Sequence, residues 1–306
     1  RLKTPDGFER KLHRADLTWR NVELFADRDR RLWLVGVDST RKVWVKRWTP
    51  QHGWRPFVEV ATGWSQDTTP SMAIRPGGGV SLVGVDTGRR LEQHDWTAAG
   101  GWVETDGHGG GWERATMVTA RGHQWLLGVR PDGDILARAW TEADGWSEFE
   151  GFGTGDWAVS VPPAAAVRTD GTLSVFAVKA DGRMFHRSWK AATGWKAFWS
   201  RGIGERWLSV EAAFSDGTLG YAGQTYDRRL VSGFWRGGEG WVEGVSIGGP
   251  EWSALRPVGF GVRSRGGLTL LGVTSAGELL HRHWTPARGW FAEFGRPGGM
   301  VTWAKA

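Results

Sequence analysis

The sequence predicts an all-β protein, a β-propeller of four-stranded antiparallel blades, on three observations. A tryptophan-rich unit recurs six times in the 306 residues, every 45 to 51 residues. Each unit consists of short apolar runs separated by hairpin signals such as Asp132-Gly133, Asp170-Gly171 and Asp181-Gly182. No segment has a long helical period. Four short strands in a unit of this length are typical of a propeller blade.

Nineteen of the 23 tryptophans fall into three columns of the repeat. The opening column is Trp19, Trp64, Trp112, Trp157, Trp207, Trp252 and Trp303. The closing column is Trp48, Trp96, Trp140, Trp189, Trp235 and Trp284. The third column follows a glycine and is Trp54, Trp102, Trp146, Trp195, Trp241 and Trp290, with Gly7-Phe8 as a seventh member. We therefore predict strand A after the opening Trp, strand B around Leu-Gly-Val, strand C ending in the closing Trp, and strand D after Gly-Trp.

A column of small residues runs through the predicted B strands. It comprises Gly36, Gly84, Gly128, Ala177, Gly223 and Gly272. A small residue in the middle of a strand weakens the strand, so a close approach by another group is the expected reason. We predict that a large tryptophan lies over each of these positions and that the positions are buried.

One domain is predicted over residues 1–306, because the repeat is continuous. Its six blades begin near Trp19, Trp64, Trp112, Trp157, Trp207 and Trp252, and residues 1–16 and 290–306 are expected to close the ring. A seven-bladed ring with one incomplete blade is the alternative, since Gly7-Phe8 resembles a D strand and the chain around Trp303 resembles an A strand.

Composition limits the classes of partner. The chain has no cysteine and therefore no disulfide or thiol chemistry. Its net charge of +6 comes from scattered side chains, so nucleic acid is not expected as a partner. No apolar run approaches the length of a membrane span, and membrane insertion is not expected. The chain begins at Arg1, which is compatible with a removed leader, and a secreted or cell-surface location is slightly favoured; the oligomeric state is left open.

Motifs for cofactor and metal chemistry are absent from the sequence. There is no glycine-rich phosphate loop, no Gly-x-Ser-x-Gly and no His-Glu-x-x-His. His281 and His283 would share a strand face, but other repeats tolerate unrelated residues there, which favours a surface role over metal binding. No cofactor and no metal are therefore predicted.

A basic residue two positions before the closing Trp is the most informative polar element. It is Lys46, His94, Arg138, Arg187 and Arg282, with Gly233 in the fifth repeat. An indole plane beside a guanidinium suits a sugar, because the C–H face stacks on the ring and the hydroxyls accept hydrogen bonds. The alternative is that the cation packs on the indole as part of the scaffold. The predicted ligand-binding residues are Arg138, Trp140, Trp146, Arg187, Trp189, Trp195, Arg282, Trp284 and Trp290.

This unit resembles the Trp-rich repeat of bacterial propeller lectins, the fucose-binding Photorhabdus type, and more distantly the tectonin and tachylectin propellers. The resemblance rests on Leu-x-His-Arg-x-Trp followed by Gly-Trp-x-x-Phe, best matched at Met184–Trp189 and Leu280–Trp284, and it covers the chain from Leu17 to Trp303. It implies shallow sugar sites repeated near blade junctions. Two features depart from the pattern: there are six full repeats rather than seven, and the fifth has Gly233-Phe234 in place of the basic pair.

Three functions follow from these observations. The first is a carbohydrate-binding lectin or binding module with repeated shallow sites, whose partner is a carbohydrate or other small molecule. The second is an enzyme with a single site at the mouth of the channel, with Glu92, His94 and Asp95 as weak catalytic candidates and the off-column Trp33, Trp44, Trp125 and Trp199 as lining. The third is a protein-interaction platform. Clefts that repeat with the blades would favour the lectin, and one deep pocket would favour the enzyme.

Overall fold

The computed structural model describes residues 19–26, 31–105, 107–153, 155–248, 259–262, 267–273 and 279–292. These residues form strands and turns, and no helix occurs among them, so the all-β prediction is confirmed. The strands make six antiparallel sheets, numbered here in chain order. No helix in this part of the chain has the length and apolarity that a membrane crossing requires.

The chain divides into two compact units, Arg1–Met117 with Ala306, and Val118–Lys305. The prediction of one domain over residues 1–306 stays a prediction. The first unit contains sheets 1 and 2. Sheet 1 consists of β1 (Trp19–Ala26), β2 (Leu32–Asp38), β3 (Lys42–Thr49), β4 (Gly53–Trp54) and β5 (Val58–Thr62). Sheet 2 consists of β6 (Ser71–Ile74), β7 (Val80–Val85), β8 (Leu91–Thr97) and β9 (Gly101–Thr105).

The second unit contains sheets 3 to 6, apart from the start of sheet 3. Sheet 3 consists of β10 (Arg114–Ala120), β11 (His123–Val129), β12 (Ile135–Thr141), β13 (Gly145–Trp146) and β14 (Glu150–Gly151). Sheet 4 consists of β15 (Ala164–Val167), β16 (Leu173–Val178), β17 (Met184–Lys190), β18 (Gly194–Trp195) and β19 (Trp199–Arg201). Sheet 5 consists of β20 (Glu211–Ser215), β21 (Thr218–Gln224), β22 (Leu230–Arg236) and β23 (Gly240–Gly248). Sheet 6 consists of β24 (Gly259–Val262), β25 (Leu268–Val273), β26 (Leu279–Thr285) and β27 (Gly289–Trp290).

Each sheet follows the predicted order A, B, C, D. Each strand C ends one residue after its closing tryptophan, and each strand D starts at a Gly-Trp pair. The opening tryptophans pair with the end of strand B of their own sheet, as in the bridges Trp64–Asp86, Trp157–Lys179 and Trp207–Thr225. The column assignment is therefore confirmed for these repeats. Trp252, Trp303, the predicted closing segment 1–16 and residues 293–306 of the predicted closing segment 290–306 lie outside the described residues.

Strand D is interrupted in sheets 1, 3 and 4 but continuous in sheets 2 and 5. The interruption falls after Gly-Trp, and a second short strand then pairs with strand C again. The interrupted sheets are those that carry both the basic residue and the phenylalanine of Gly-Trp-x-x-Phe, namely Phe57, Phe149 and Phe198. The continuous strands β9 and β23 have threonine and glycine at the phenylalanine position. The motif therefore marks a break in the outer strand.

At two of the small positions of strand B, an opening tryptophan lies over the glycine. A Cβ built on Gly84 would overlap the ring of Trp64, and one built on Gly223 would overlap the Ser209 carbonyl oxygen and lie 2.9 Å from the ring of Trp207. Gly128 is buried as well. The predicted packing role is confirmed at Gly84 and Gly223, where two large rings fill the space that a side chain would need; the surroundings of Gly272 lie outside the described residues.

Candidate functional site

Consecutive sheets within a unit face each other, and we call the space between two of them a junction. Each unit is considered separately: junction 1/2 in the first unit, and junctions 3/4, 4/5 and 5/6 in the second. At every one of these junctions the closing tryptophan of the later sheet contacts a side chain of the earlier sheet. The ring centres are 4.8 Å apart for Trp96 and Trp33, 4.8 Å for Trp189 and Trp125, and 4.7 Å for Trp284 and Phe234. The Arg168 guanidinium carbon lies 3.7 Å from the centre of the Trp235 ring. The closing column therefore packs sheet against sheet.

Two of the predicted ligand-binding arginines are engaged with the main chain. Arg187 Nε donates to the carbonyl of Lys196 at 2.7 Å, and its Nη1 donates to the carbonyl of Phe152 at 3.1 Å. Phe152 belongs to sheet 3, six residues after the Gly-Trp of that sheet. The Arg187 guanidinium thus closes the broken D strand of its own sheet and ties it to the preceding sheet.

Arg282 repeats this arrangement in sheet 6. Its Nη1 donates to the carbonyl of Ile247 at 2.7 Å, and Ile247 again lies six residues after a Gly-Trp of the preceding sheet. Its Nε donates to the carbonyl of Phe291 and its Nη2 donates to that of Ala292 at 3.1 Å. In sheet 4, where strand D is interrupted, the charge-assisted bond from Arg187 to the Lys196 carbonyl takes the place of ladder bonds.

Arg138 lies between the two rings of its own Gly-Trp-x-x-Phe segment. Its guanidinium is 4.5 Å from the Trp146 ring and 4.7 Å from the Phe149 ring. Lys46 lies over Phe57 at 4.6 Å in the same way in sheet 1. This is the cation–π packing that the sequence left as the alternative. The predicted sugar contacts of these sets stay a prediction, and their side chains line neither of the two clefts described below.

The tryptophans of the predicted sets are likewise embedded in local contacts. Trp140 pairs in register with Trp146. Trp195 Nε1 donates to Glu150 at 2.7 Å, and Trp290 Nε1 donates to Ser232 Oγ at 3.0 Å. The indole N–H groups of Trp195 and Trp290 therefore tie these two Gly-Trp pairs to the preceding sheet.

The weak catalytic candidates of sheet 2 divide between two faces. Glu92 and His94 share one face of β8, and Glu92 accepts a hydrogen bond from Trp64 Nε1 at 2.6 Å. Asp95 points to the other face, where Ser81 and Gln93 donate to it at 2.5 and 2.9 Å and Arg75 pairs with it. Burial lowers the pKa of His94, against the opposing effect of neighbouring carboxylates. The structure therefore does not bring the three side chains together.

A cleft of about 490 Å³ lies at the edge of junction 4/5 and continues along sheet 5. Its walls combine charged and aromatic side chains: Arg168, Asp170, Phe214, Asp216, Trp235, Arg236 and Glu239. Arg168 precedes the Asp170-Gly171 turn between strands A and B of sheet 4. Trp235 is the closing tryptophan of sheet 5, so the cleft joins two repeats.

Arg168 is held over the Trp235 ring, but its N–H donors form no hydrogen bond with any residue that the structure describes. Its guanidinium lies 3.7 Å from the centre of the Trp235 ring, and 24% of its side chain is exposed. The nearest carboxylate oxygen, on Asp170, is 3.9 Å away, which is an ion pair but not a hydrogen bond. Among the described residues no hydrogen bond from the Arg168 side chain is formed. Up to five N–H donors are thus held over an indole at the wall of a cleft.

Asp170 supplies the matching acceptor. Burial opposes its ionisation, but hydrogen bonds from Thr172 and Lys190 outweigh burial and lower the pKa of the carboxyl. Its Oδ2 lies 3.0 Å from Lys190 Nζ. The carboxylate therefore stays charged at neutral pH and can accept hydrogen bonds from hydroxyl groups.

Behind Arg168, the faces of sheets 4 and 5 enclose polar atoms that no other described residue satisfies. They are Ser174 Oγ and both ring nitrogens of His186. His186 lies 5.4 Å from the Trp241 ring. Burial, and then the positive charges of Arg201 and Arg168, lower the pKa of His186 to about 3. Junction 4/5 is therefore polar inside, and such groups ordinarily bind ordered water or a ligand.

A second cleft, of about 460 Å³, lies at junction 1/2. Trp33, Trp96 and Trp102 line it together with Arg47, and the Arg47 guanidinium is 4.6 Å from the Trp96 ring. As at junction 4/5, an arginine of the earlier sheet covers the closing tryptophan of the later one. The described residues contain no cluster of metal-ligating side chains at either cleft or elsewhere.

Sequence reasoning missed Arg168 and Arg47 as site residues. It considered cations on the same strand as a closing tryptophan, whereas these arginines contact the tryptophan of the next repeat. Arg168 and Trp235 are 67 residues apart. The sequence does show an arginine at the A–B turn (Arg168) and one beside the closing tryptophan (Arg47). Their role becomes visible only when consecutive repeats are placed face to face.

The chain has the fold of a six-bladed β-propeller, and its six sheets are the blades. It is similar to a lectin from Burkholderia pseudomallei with a TM-score of 0.76 and 14% identity, over 88% of this chain and 82% of that one. It is similar to the SapL1 lectin in complex with alpha-methyl fucoside, with a TM-score of 0.67 and 16% identity over 92% and 98% of the two chains. It is also similar to the fungal lectin of Aleuria aurantia, a six-bladed propeller that recognises fucose, with a TM-score of 0.59 and 14% identity over 92% and 97%.

These likenesses confirm the predicted fold and its six blades, and they agree with the resemblance to fucose-binding propeller lectins seen in the repeat. No protein-family model matches the chain. No curated protein matches it by sequence.

Proposed function

We propose that this protein is a carbohydrate-binding propeller lectin whose sites lie at the junctions between blades. The observation that carries the proposal is Arg168, held over Trp235 with unused N–H donors at the wall of the junction 4/5 cleft. The structural neighbours support it, since the proteins solved with fucosides share this fold.

The chemistry of the cleft suits a neutral sugar. The Arg168 guanidinium donates to vicinal hydroxyls, the Asp170 carboxylate accepts from another, and the exposed part of Trp235 provides an apolar surface for C–H groups. A cleft of about 490 Å³ holds one or two sugar rings. Its open form is that of a shallow site rather than an enclosed active site.

The arrangement of an arginine over a closing tryptophan at a cleft occurs a second time, which supports the proposal. At junction 1/2, Arg47 covers Trp96 as Arg168 covers Trp235, and a cleft lies there too. Weak sites repeated on one scaffold bind a multivalent glycan surface with avidity well above that of each site. We therefore propose a multivalent lectin.

Of the closing-column sets predicted from sequence, the Arg138 set is proposed as a further group of sugar contacts; the Arg187 and Arg282 sets stay a prediction, and their closing tryptophans already contact Trp125 and Phe234. Arg138 is the strongest member, because its buried Nε has no partner among the described residues. Arg187 and Arg282 are more fully engaged, since main-chain carbonyls take two and three of their N–H groups. Titration of Arg138→Ala with sugar tests this set separately from Arg168.

Calorimetric titration with methyl α-L-fucoside, preceded by a glycan array, tests the proposal. Arg168→Ala should weaken binding at junction 4/5 about tenfold to a hundredfold, because charge-assisted hydrogen bonds contribute about 1.5–3 kcal/mol. Arg183→Ala is the matched control, because Arg183 is exposed and lines neither cleft. A folded wild-type protein that binds no glycan on the array would refute the proposal.

A further inference from the structure

One register position decides what fills a junction. It is the strand B residue that pairs with the residue just before the closing tryptophan of the same sheet. In the second unit these pairs are Trp125 with Ala139, Ser174 with Ser188, and Gly220 with Phe234. Side chains at this level face the next sheet, because they contact its closing tryptophan in sheets 3 and 5.

In junction 3/4 this position is filled by an indole. Trp125 lies 4.8 Å from Trp189 and 5.4 Å from Trp195, edge to face with both, and only 3% of it is exposed. In junction 5/6 the other member of the pair fills it. Phe234 stacks on Trp284 at 4.7 Å with an interplanar angle of 15° and is 6% exposed. Both junctions are thus closed by aromatic packing.

In junction 4/5 both members of the pair are serines. No aromatic ring of sheet 4 takes the place next to Trp235, and the guanidinium of Arg168 lies there instead. Ser174 is fully buried, and its Oγ has no partner among the described residues. The flanking junctions are filled by aromatic rings at this level, whereas junction 4/5 is lined by hydroxyls and a guanidinium.

We infer that junction 4/5 is the one sugar site among the three junctions of the second unit, an inference that rests on the proposed function. Trp125 and Phe234 fill the corresponding positions in the junctions on either side of it. Within the second unit, the residue at the Ser174 position therefore distinguishes the junction that binds from those that do not. Serines there leave room for an arginine with free donors, whereas Trp125 and Phe234 take the face of the closing tryptophan that a ligand would use. Junction 1/2 of the first unit combines both features, because Trp33 contacts Trp96 and Arg47 on strand C also covers it.

Ser174→Trp tests the inference by installing the side chain that sheet 3 carries at this position. Stoichiometry with methyl α-L-fucoside is measured calorimetrically on the full chain, with folding checked by thermal unfolding. Loss of one site relative to wild type is expected. Ser246→Trp is the matched control, because it adds an indole on the exposed side of β23 and should keep every site.

Trp125→Phe and Phe234→Leu give the converse measurement and decide the matter if Ser174→Trp does not fold. Both variants should keep the wild-type stoichiometry, because their junctions carry no site. A folded Ser174→Trp protein with undiminished stoichiometry, or the loss of a site in either converse variant, would overturn the inference. Absence of binding by wild type would instead overturn the proposed function.

Discussion

Tyr221 and Gly233 are register partners on adjacent strands of sheet 5, and the tyrosine ring occupies the space that a Cβ at Gly233 would need. The other sheets have leucine or valine at the Tyr221 position. The size of Tyr221 therefore accounts for the absence of a basic residue at Gly233 in the fifth repeat. A larger side chain on strand B requires the smallest residue on strand C.

The cation missing from Gly233 is supplied by the preceding sheet. Arg201, at the end of β19, lies 4.3 Å from the Trp241 ring and 3.3 Å from Glu243. Glu243 also accepts a hydrogen bond from the main-chain N–H of Gly202 at 3.1 Å. Trp241 thus keeps a cation over its ring, although the cation comes from a different repeat.

Gly233→Ala should destabilise the protein by about 1–3 kcal/mol, because the added methyl group overpacks the site against Tyr221. Tyr221→Leu removes the obstacle, so Gly233→Ala should cost much less in that background. A double-mutant cycle from urea unfolding gives the coupling energy between the two positions. Equal costs in the two backgrounds would show that the pair is not coupled by size.

Arg187→Ala should lower the free energy of unfolding by about 1.5–3 kcal/mol, because two main-chain carbonyls lose a charged donor. Arg183→Ala, four residues away and exposed, should change it by less than about 0.5 kcal/mol. Both values come from urea unfolding. Sugar titration of the folded Arg187→Ala protein also tests the sequence-based site: unchanged binding with reduced stability would make Arg187 part of the scaffold alone.

Gly84→Ala should destabilise sheet 2 by about 1–3 kcal/mol, since the new Cβ would overlap the ring of the fully buried Trp64. Gly151→Ala is the control, because nothing lies within 4 Å of a Cβ built there. The two melting temperatures are compared with that of wild type. A Gly84→Ala protein as stable as the control would contradict the packing role of the small column.

The sequence sufficed for the scaffold because each scaffold feature repeats. Spacing of the tryptophans located the strands, and the mid-strand glycines revealed the packing beneath Trp64 and Trp207. The candidate site depends on contacts between repeats, which no single unit displays. Arg168 meets Trp235, Arg201 replaces a side chain absent at Gly233, and neither relationship follows from alternation along one strand.

The basic residues two positions before the closing tryptophans also show what a single repeat does not reveal. Their pairing with tryptophan was visible in the sequence, and the basic side chains do lie beside indoles. In sheet 4 the Arg187 guanidinium donates to main-chain carbonyls beside the point where strand D breaks after Trp195. That break appears only in the register of strands C and D.

The last prediction concerns acid sensitivity through His186. Its pKa is about 3 in the folded protein, against about 6.5 in an unfolded chain, because burial and then Arg201 and Arg168 disfavour the imidazolium. Below pH 6.5 the unfolded chain binds a proton that the folded chain does not. The contribution of His186 to stability is thus complete above pH 6.5 and is lost as the pH falls toward 3, by at most about 1.4 kcal/mol per pH unit. Urea unfolding between pH 7 and pH 4 should give a smaller slope of unfolding free energy against pH for His186→Gln than for wild type, whereas Ser246→Ala, which changes an exposed residue that does not titrate, should keep the wild-type slope. Identical slopes for wild type and His186→Gln would mean that His186 is protonated in the folded state, and the buried polar interior of junction 4/5 would then have to accommodate a charge.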